Sequence, residues 1–170
     1  MRMTVLALLV PATLGLSAVA LAENVGEATR VQRFAYQTIP QAQKAPIFRL
    51  HPVVRNARLE PVPSGALEVP FTDGSRLTLG SASAVVVDNY VYGGAQGASG
   101  QTLKMTRGLF RFVSGSMPKD QVKLQTPSVT IGIRGTTVKV KSDDLGVGTI
   151  FFEHGEGRVD HGKGQLGQMG

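Results

Sequence analysis

Val129, Ile131 and Ile133 alternate with Thr130 and Gly132, which places three β-branched side chains on one face of a pleated strand. Val138 and Val140 alternate with Lys139 and Lys141 in the same way, so residues 126–141 predict two extended runs joined at a corner. Gly132 and Gly135 flank Ile133-Arg134 and permit a bend or a close backbone approach there. Pro127 has no amide hydrogen to give a ladder and marks the first residue of the strand or an edge. A second alternation, Leu67, Val69 and Phe71, returns through Leu77 and Leu79 across Asp73-Gly74, a pair favoured in type I′ hairpin turns.

The same reading extends along the chain. Residues 28–36 predict a first strand, 37–46 an excursion loop, and 47–50 and 53–59 short strands, closed by a turn at Pro61-Val62-Pro63-Ser64-Gly65. Residues 84–92 predict a strand buried on both sides at Val85-Val86-Val87. A glycine-rich tip follows over 93–100. Residues 102–107 and 109–114 predict a strand pair pivoting near Gly108, with Phe110 and Phe112 inward and Arg111 outward. Residues 121–125 lead into the central segment, and 142–146 read as a turn. Residues 149–153 form an apolar strand that Gly155 and Gly157 turn back into 158–160. No helical periodicity exceeds two turns. About ten short strands predict an all-β fold of two packed antiparallel sheets, a β-sandwich or flattened β-roll. Ile131, Ile133, Phe71, Phe112 and Phe151 are its expected core.

Composition narrows this picture. A chain of 170 residues is one domain's worth, and 21 glycines with no tryptophan suit short strands and tight turns. The absence of cysteine excludes disulfides and thiolate chemistry. Residues 1–22 carry Arg2, an apolar run from Val5 to Val19 and the site Ala20-Leu21-Ala22, the layout of a cleaved signal peptide. The domain is then 23–165 with a frayed tail at 166–170, and its expected location is periplasmic or secreted. Of 18 Lys and Arg, loss of Arg2 leaves 17 against 12 Asp and Glu, a net charge near +5.

Candidate chemistry is sparse. Arg134 presents a planar fork suited to a carboxylate, phosphate or sugar acid. The expected role is the plainer one, tying its own corner to loop carbonyls or a carboxylate such as Asp88. His51, His154 and His161 are too dispersed to converge on a zinc. Asp143-Asp144 lacks the alternating ligands of a calcium loop. Residues 157–163 mimic G-x-x-x-x-G-K, but Gly164 stands where Ser or Thr belongs and no helix follows. No G-x-S-x-G, H-E-x-x-H or thiol is present, so no enzyme, metal or cofactor is expected. Arg107, Arg111, Lys139 and Lys141, with Lys119 and Lys123 between, form a possible basic face for an acidic partner. Nucleic acid is disfavoured, because no aromatic stacking residues lie among the charges.

Thr126-Pro-x-x-Thr-Ile-Gly-Ile-Arg-Gly-Thr136, residues 69–80 (VPFTDGSRLTLG) and residues 108–115 (GLFRFVSG) together resemble the FecR-like domain family. The resemblance covers roughly residues 26–159, more strongly after 66. It implies an exported all-β domain, best known as the periplasmic sensing part of membrane-spanning regulators of iron-uptake sigma factors. It also marks Thr126, Pro127, Gly132, Arg134, Gly135, Thr136, Asp73 and Gly74 as motif residues and candidate binding residues. The expected function is a non-catalytic binding or scaffolding module of the bacterial cell envelope, with a protein or acidic polymer as partner. Two alternatives are a periplasmic signalling component of a sigma-factor system, and a carbohydrate-binding module using Tyr90, Tyr92 and Phe34. Those membrane-bound regulators carry a cytoplasmic segment and a transmembrane helix where this sequence has a signal-like segment. Intact-mass measurement of protein taken from the envelope should therefore give a chain beginning at Glu23. Retention of Met1 in a membrane-embedded species would count against processing.

Overall fold

A computed structural model of the chain describes residues 23–93, 99–118, 120–143 and 148–161. The predicted signal segment, the tail 166–170, Lys119 and Asp144 lie outside the described residues. The fold is all-β, with thirteen strands among the described residues. Strands β1 (Asn24–Glu27) and β5 (Pro52–Val54) form a separate antiparallel ribbon. The other eleven form one continuous hydrogen-bonded sheet.

That continuity departs from the expected pair of packed sheets, and long strands cause it. Strand β10 (Ser99–Val113) pairs through residues 99–107 with β9 (Ala84–Tyr92). Its second half, 110–113, pairs with β8 (Arg76–Leu79). Strand β12 (Val129–Ser142) likewise pairs with β11 (Val122–Gln125) through 130–133 and with β10 through 137–142. Two leaves thus share their long strands. One runs outward from β9 through β6 (Arg58–Pro61) and β3 (Ala35–Thr38) to β4 (Ala45–Ile47). The other runs from β8 through β7 (Ala66–Pro70) to β2 (Arg30–Gln32). Strand β13 (Gly148–His161) lines the far side of β12. Strands β10 and β11 pair in parallel, the one departure from a wholly antiparallel sheet.

A strand that crosses between leaves must turn its opposite face inward. In β10 the buried residues are Gln101, Leu103 and Met105 before Gly108, then Phe110 and Phe112 after it. In β12 they are Ile131 and Ile133 before Gly135, then Val138 and Val140. Alternation has a period of two, so the switch from odd to even positions needs one residue outside the pleat. Gly108, Gly135 and Gly155 supply it with φ of 111°, 70° and 77°, a region L-residues disfavour. Gly135 and Gly155 face each other across the β12–β13 ladder. A methyl group on Gly155 would lie 2.5 Å from the Gly135 carbonyl oxygen.

Several sequence expectations change accordingly. Residues 102–107 and 109–114 are one bent strand rather than two. Gly155 and Gly157 do not reverse the chain. They lie within β13, where Gly155 is the corner. Phe151 is exposed rather than core, because it pairs with the outward Lys139, while Phe152 pairs with the buried Val138. The Asp73-Gly74 turn is not type I′, since Gly74 alone has a positive φ of 82°. Gly74 N donates to Phe71 O (3.0 Å) and Phe71 N to Ser75 O (2.8 Å), a type I turn followed by a glycine bulge. Residues 28–36 hold parts of β2 and β3 instead of one strand, and the expected loop 37–46 holds the ends of β3 and β4. Val86 is only half-buried, between the buried Val85 and Val87.

One cluster unites the inward side chains of both leaves and of the ribbon, from Val25 and Val53 to Leu67, Leu77, Leu103, Phe112 and Ile131. Ile131→Ala should cost about 2–5 kcal/mol in chemical denaturation, as buried large-to-small changes do. Phe151→Ala, on the outward phase, should stay within about 0.5 kcal/mol of wild type. Equal losses would mean that β13 presents the other face to the core.

Candidate functional site

The three sequence motifs meet at the loop of residues 114–116. Ser114 N donates to Thr136 O (3.1 Å), and Ser116 donates to Asp73 O through its amide (2.8 Å) and hydroxyl (2.7 Å). Gly115 between them lies so close that a methyl group there would collide with the backbone of Asp73 and Ser75. Asp73 is buried. Its Oδ1 accepts from Ser75 N (3.1 Å), Ser75 Oγ (2.6 Å) and the Tyr90 hydroxyl (3.1 Å), while Asp73 N donates to that hydroxyl (2.9 Å). Thr72 Oγ1 shares a hydrogen bond with Tyr90 OH at 2.9 Å. Asp73 Oδ2 and Gln101 Nε2 are buried without a protein partner. This network joins the β7–β8 turn of one leaf to β9 and the start of β10 in the other.

The remaining motif residues also serve the backbone. Thr126 Oγ1 accepts from Val129 N (3.1 Å) and Ser128 N (3.4 Å), which shapes the turn around Pro127 before β12 begins. Thr136 is buried at the corner, and its hydroxyl donates to Thr137 O (3.2 Å). Gly132 has ordinary room for a side chain, so only Gly135 of the pair is needed for its conformation. Arg134 does serve its own corner, though at the surface. Its Nε donates to Asp120 Oδ1 at 2.7 Å with both side chains about half exposed. The hydrogen bond that Arg134 donates to Asp120 raises the Arg134 pKa, with added help from the carboxylate's charge. Asp88, the other expected partner, pairs with Lys104 at 2.9 Å. No buried loop carbonyl depends on Arg134.

Three of the four residues expected on a basic face, Arg111, Lys139 and Lys141, are exposed on adjacent strands of the second leaf. Arg111 and Lys139 are cross-strand neighbours, as are Leu109 and Lys141. Glu153 on β13 lies between the first two, 2.7 Å from Lys139 and 3.0 Å from Arg111. The Lys139 hydrogen bond, followed by that of Arg111, holds the Glu153 carboxyl below its usual pKa against its partial desolvation. Leu109 and Phe151, 53 % and 58 % exposed, stand among these cations. Sequence reasoning placed Phe151 inside and did not single out Leu109 or Glu153. The outward phase of Lys139, carried across the ladder, is the signal that finds Phe151. Arg107 lies at the β10 corner, before the parity switch, and Lys123 pairs with Gly132 on the first leaf.

A cavity of about 220 Å³ opens where the ends of the β12–β13 hairpin curl toward each other. Val129, Val140, Ile150 and Val159 line it, with Thr126, Ser128 and Ser142 at its edge. His154 and His161 lie on one strand, seven residues apart, roughly 20 Å at strand rise. His51 packs edge-on against Phe48. Among the described residues no three His, Cys, Asp or Glu side chains converge as metal ligands. No helix among them is long and apolar enough to cross a membrane.

The profile of the FecR protein family matches residues 58–159. The chain belongs to the FecR family. Neither a curated protein nor a solved structure matches it. The match begins at β6 and spans the Asp73 turn and the corners of both long strands. Membership points to a signalling-related component of the cell envelope.

The polar network gives a pH-dependent test. Burial pushes the Tyr90 hydroxyl up to about 12, the charge of Asp73 adding to the rise and the hydrogen bonds from Thr72 and the Asp73 amide opposing it. Below pH about 10 the tyrosine is neutral folded or unfolded, and its contribution is fully present. Above that the unfolded chain ionises first, so stability should fall by about 2–3 kcal/mol as pH rises from about 10 to 12. Tyr90→Phe should lack this component and be weaker by about 1–3 kcal/mol at pH 7, where the Asp73 groups lose their partner. Urea denaturation across this range should show the difference between wild type and variant shrinking as pH rises.

Proposed function

We propose that this FecR-family chain is an exported, non-catalytic binding module of the bacterial envelope, which engages an acidic protein or polymer through the outer face of β8, β10, β12 and β13. The observation that carries the reading is the composition of that face. Arg76, Arg111, Lys139 and Lys141 stand on adjacent strands, opposed by Glu68 and Glu153. Leu109 and Phe151 add apolar contact among the charges. Cationic and apolar groups together give orientation and affinity, whereas a merely solvated face has no use for exposed aromatic area.

Family membership favours a second reading, in which the bound partner is part of a signalling system such as sigma-factor control of iron uptake. The two readings share this face and differ in what the bound state does. Of the three aromatics that a carbohydrate-binding role would use, Phe34 alone is well exposed. Tyr90 is buried, and Tyr92 donates to or accepts from Ser116 Oγ at 2.8 Å.

Lys139→Gln/Lys141→Gln should weaken binding to a polyanion, with polyglutamate as the probe, by about tenfold at low salt and flatten its salt dependence. The denaturation midpoint should hardly move. Unchanged polyglutamate binding and an unchanged salt slope in this double variant would overturn the assignment.

A further inference from the structure

Three of the six exposed large hydrophobic side chains among the described residues gather at the opposite end of the strand order. They are Phe34, Phe48 and Leu50, exposed by 61 %, 52 % and 62 %. The register that pairs Ala35 with Ile47 puts Phe34 opposite Phe48. Ala35 and Ile47 are buried, so both phenylalanines face outward. Tyr36 and Pro46 continue this phase one pair further on, with Lys44 Nζ 4.9 Å from the Tyr36 ring centre. Beyond Phe48 the chain turns, with His51 N donating to Phe48 O at 3.1 Å. Leu50 sits in this turn at φ 69°, and Arg33 precedes Phe34 at φ 61°. Left-handed backbone at arginine and leucine is unfavourable, and it persists only where the surroundings enforce it.

The two arginines next to the exposed apolar side chains are uncommitted. Arg33 and Arg49 are exposed and pair with no carboxylate among the described residues. Glu60, which faces Tyr36 across the β3–β6 ladder, is already held by Lys44 at 3.0 Å and Arg58 at 3.2 Å. Burial works upward on that carboxyl, but the Lys44 and Arg58 hydrogen bonds outweigh it and keep it ionised below its usual range. The patch precedes residues 58–159, so it lies outside the segment that defines the family likeness.

We infer that this patch docks the domain on an anionic lipid surface. The apolar groups project from an edge strand and a turn, a shape that inserts between headgroups. The flanking arginines have stems that lie along apolar surface while their heads reach phosphates. Stable interfacial attachment takes two signals, apolar insertion and positive charge, and both stand here within one turn of chain. This assignment is independent of the β8–β10–β12–β13 face, whose lysines lie elsewhere on the sheet.

The test is co-sedimentation of the protein, purified from the envelope of an expressing cell, with vesicles of phosphatidylcholine alone or with about a third phosphatidylglycerol. Wild type should bind the anionic vesicles and bind the neutral ones weakly. Phe48→Ser/Leu50→Ser should lower anionic-vesicle binding tenfold or more. Arg33→Gln/Arg49→Gln should lower it roughly thirtyfold and abolish the preference for anionic lipid. Each substituted side chain is exposed, and an unchanged thermal midpoint verifies folding. Lys139→Gln/Lys141→Gln should bind the vesicles as wild type does, even where its polyglutamate binding is lost. The species assayed is the one whose intact mass corresponds to a chain beginning at Glu23, so the apolar leader takes no part in the binding. Wild-type binding that survives both patch variants, or no binding by folded wild type, overturns the proposal. So does loss of vesicle binding in the Lys139/Lys141 variant alone, which would leave the lipid and polyanion readings as one site.

Discussion

Everything in this fold depends on strands long enough to belong to two leaves. A single flat strand cannot line both walls of one core, because its inward face becomes the outward face once the sheet folds over. Residues with positive φ at Gly108, Gly135 and Gly155 resolve this by dropping one position from the pleat. Strand β10 can then bend until its two ends approach the same turn. Gln101, near its start, comes within 3.4 Å of Ser75, and Ser116, just past its end, bonds to Asp73. The Asp73 network follows from that closure. A polar cluster between two leaves is tolerable only where most of its members are satisfied, and Asp73 Oδ1 alone accepts three hydrogen bonds.

Most of the motif residues work on the backbone rather than presenting a side chain for binding. Thr126, Gly135, Thr136, Asp73 and Gly74 shape turns and corners, and Gly115 lets the 114–116 loop press against the Asp73 turn. Recognition has to use the outward phases, where the fold imposes few requirements. That freedom is why Leu109, Phe151, Lys139 and Lys141 carry information. An aromatic ring left in water gains nothing for stability, so its presence among cations calls for a reason outside the fold.

Alternation alone made the phases of Val129–Ile133, Val138–Val140 and the Leu67–Leu79 hairpin legible, since β-branched and leucine side chains at every second residue fit no other element. Phe110 and Phe112 were legible for the same reason. Some failures share a cause, which is that glycine is ambiguous. Gly155 and Gly157 read equally well as a reversal or as a corner inside a strand, and the consecutive apolar Ile150, Phe151 and Phe152 leave the phase of 149–153 undecided by alternation. Asp73-Gly74 fits two hairpin loops, a two-residue type I′ turn and a three-residue type I turn that also takes in Thr72. The division into two sheets was illegible for a further reason. Whether a bent strand ends or continues is set by hydrogen bonds to neighbours distant in sequence, and β10 finds β8 and β12 only after the corner. The stretch 28–50 was the hardest, because its prolines and short strands leave no run long enough to show a period.

The two exposed surfaces differ in a way that assigns them different work. On the β8–β13 face, Glu68 and Glu153 already occupy Arg76, Arg111 and Lys139, so an incoming acidic group competes with carboxylates in place and gains selectivity from that competition. At the β3–β4 edge, Arg33 and Arg49 have no such competitor, and their field acts on any anionic surface without regard to its detailed geometry. In the proposed reading, the first arrangement would discriminate among partners and the second would concentrate the protein at a boundary. Strands β4 and β13 are the two ends of the main strand order, so no single ladder joins the two surfaces. If the β4 edge lies on lipid, the β13 side stays open to a second molecule, and attachment raises the local concentration of domain available to it. A module built this way would gain affinity for a membrane-bound partner without any change in the contact itself.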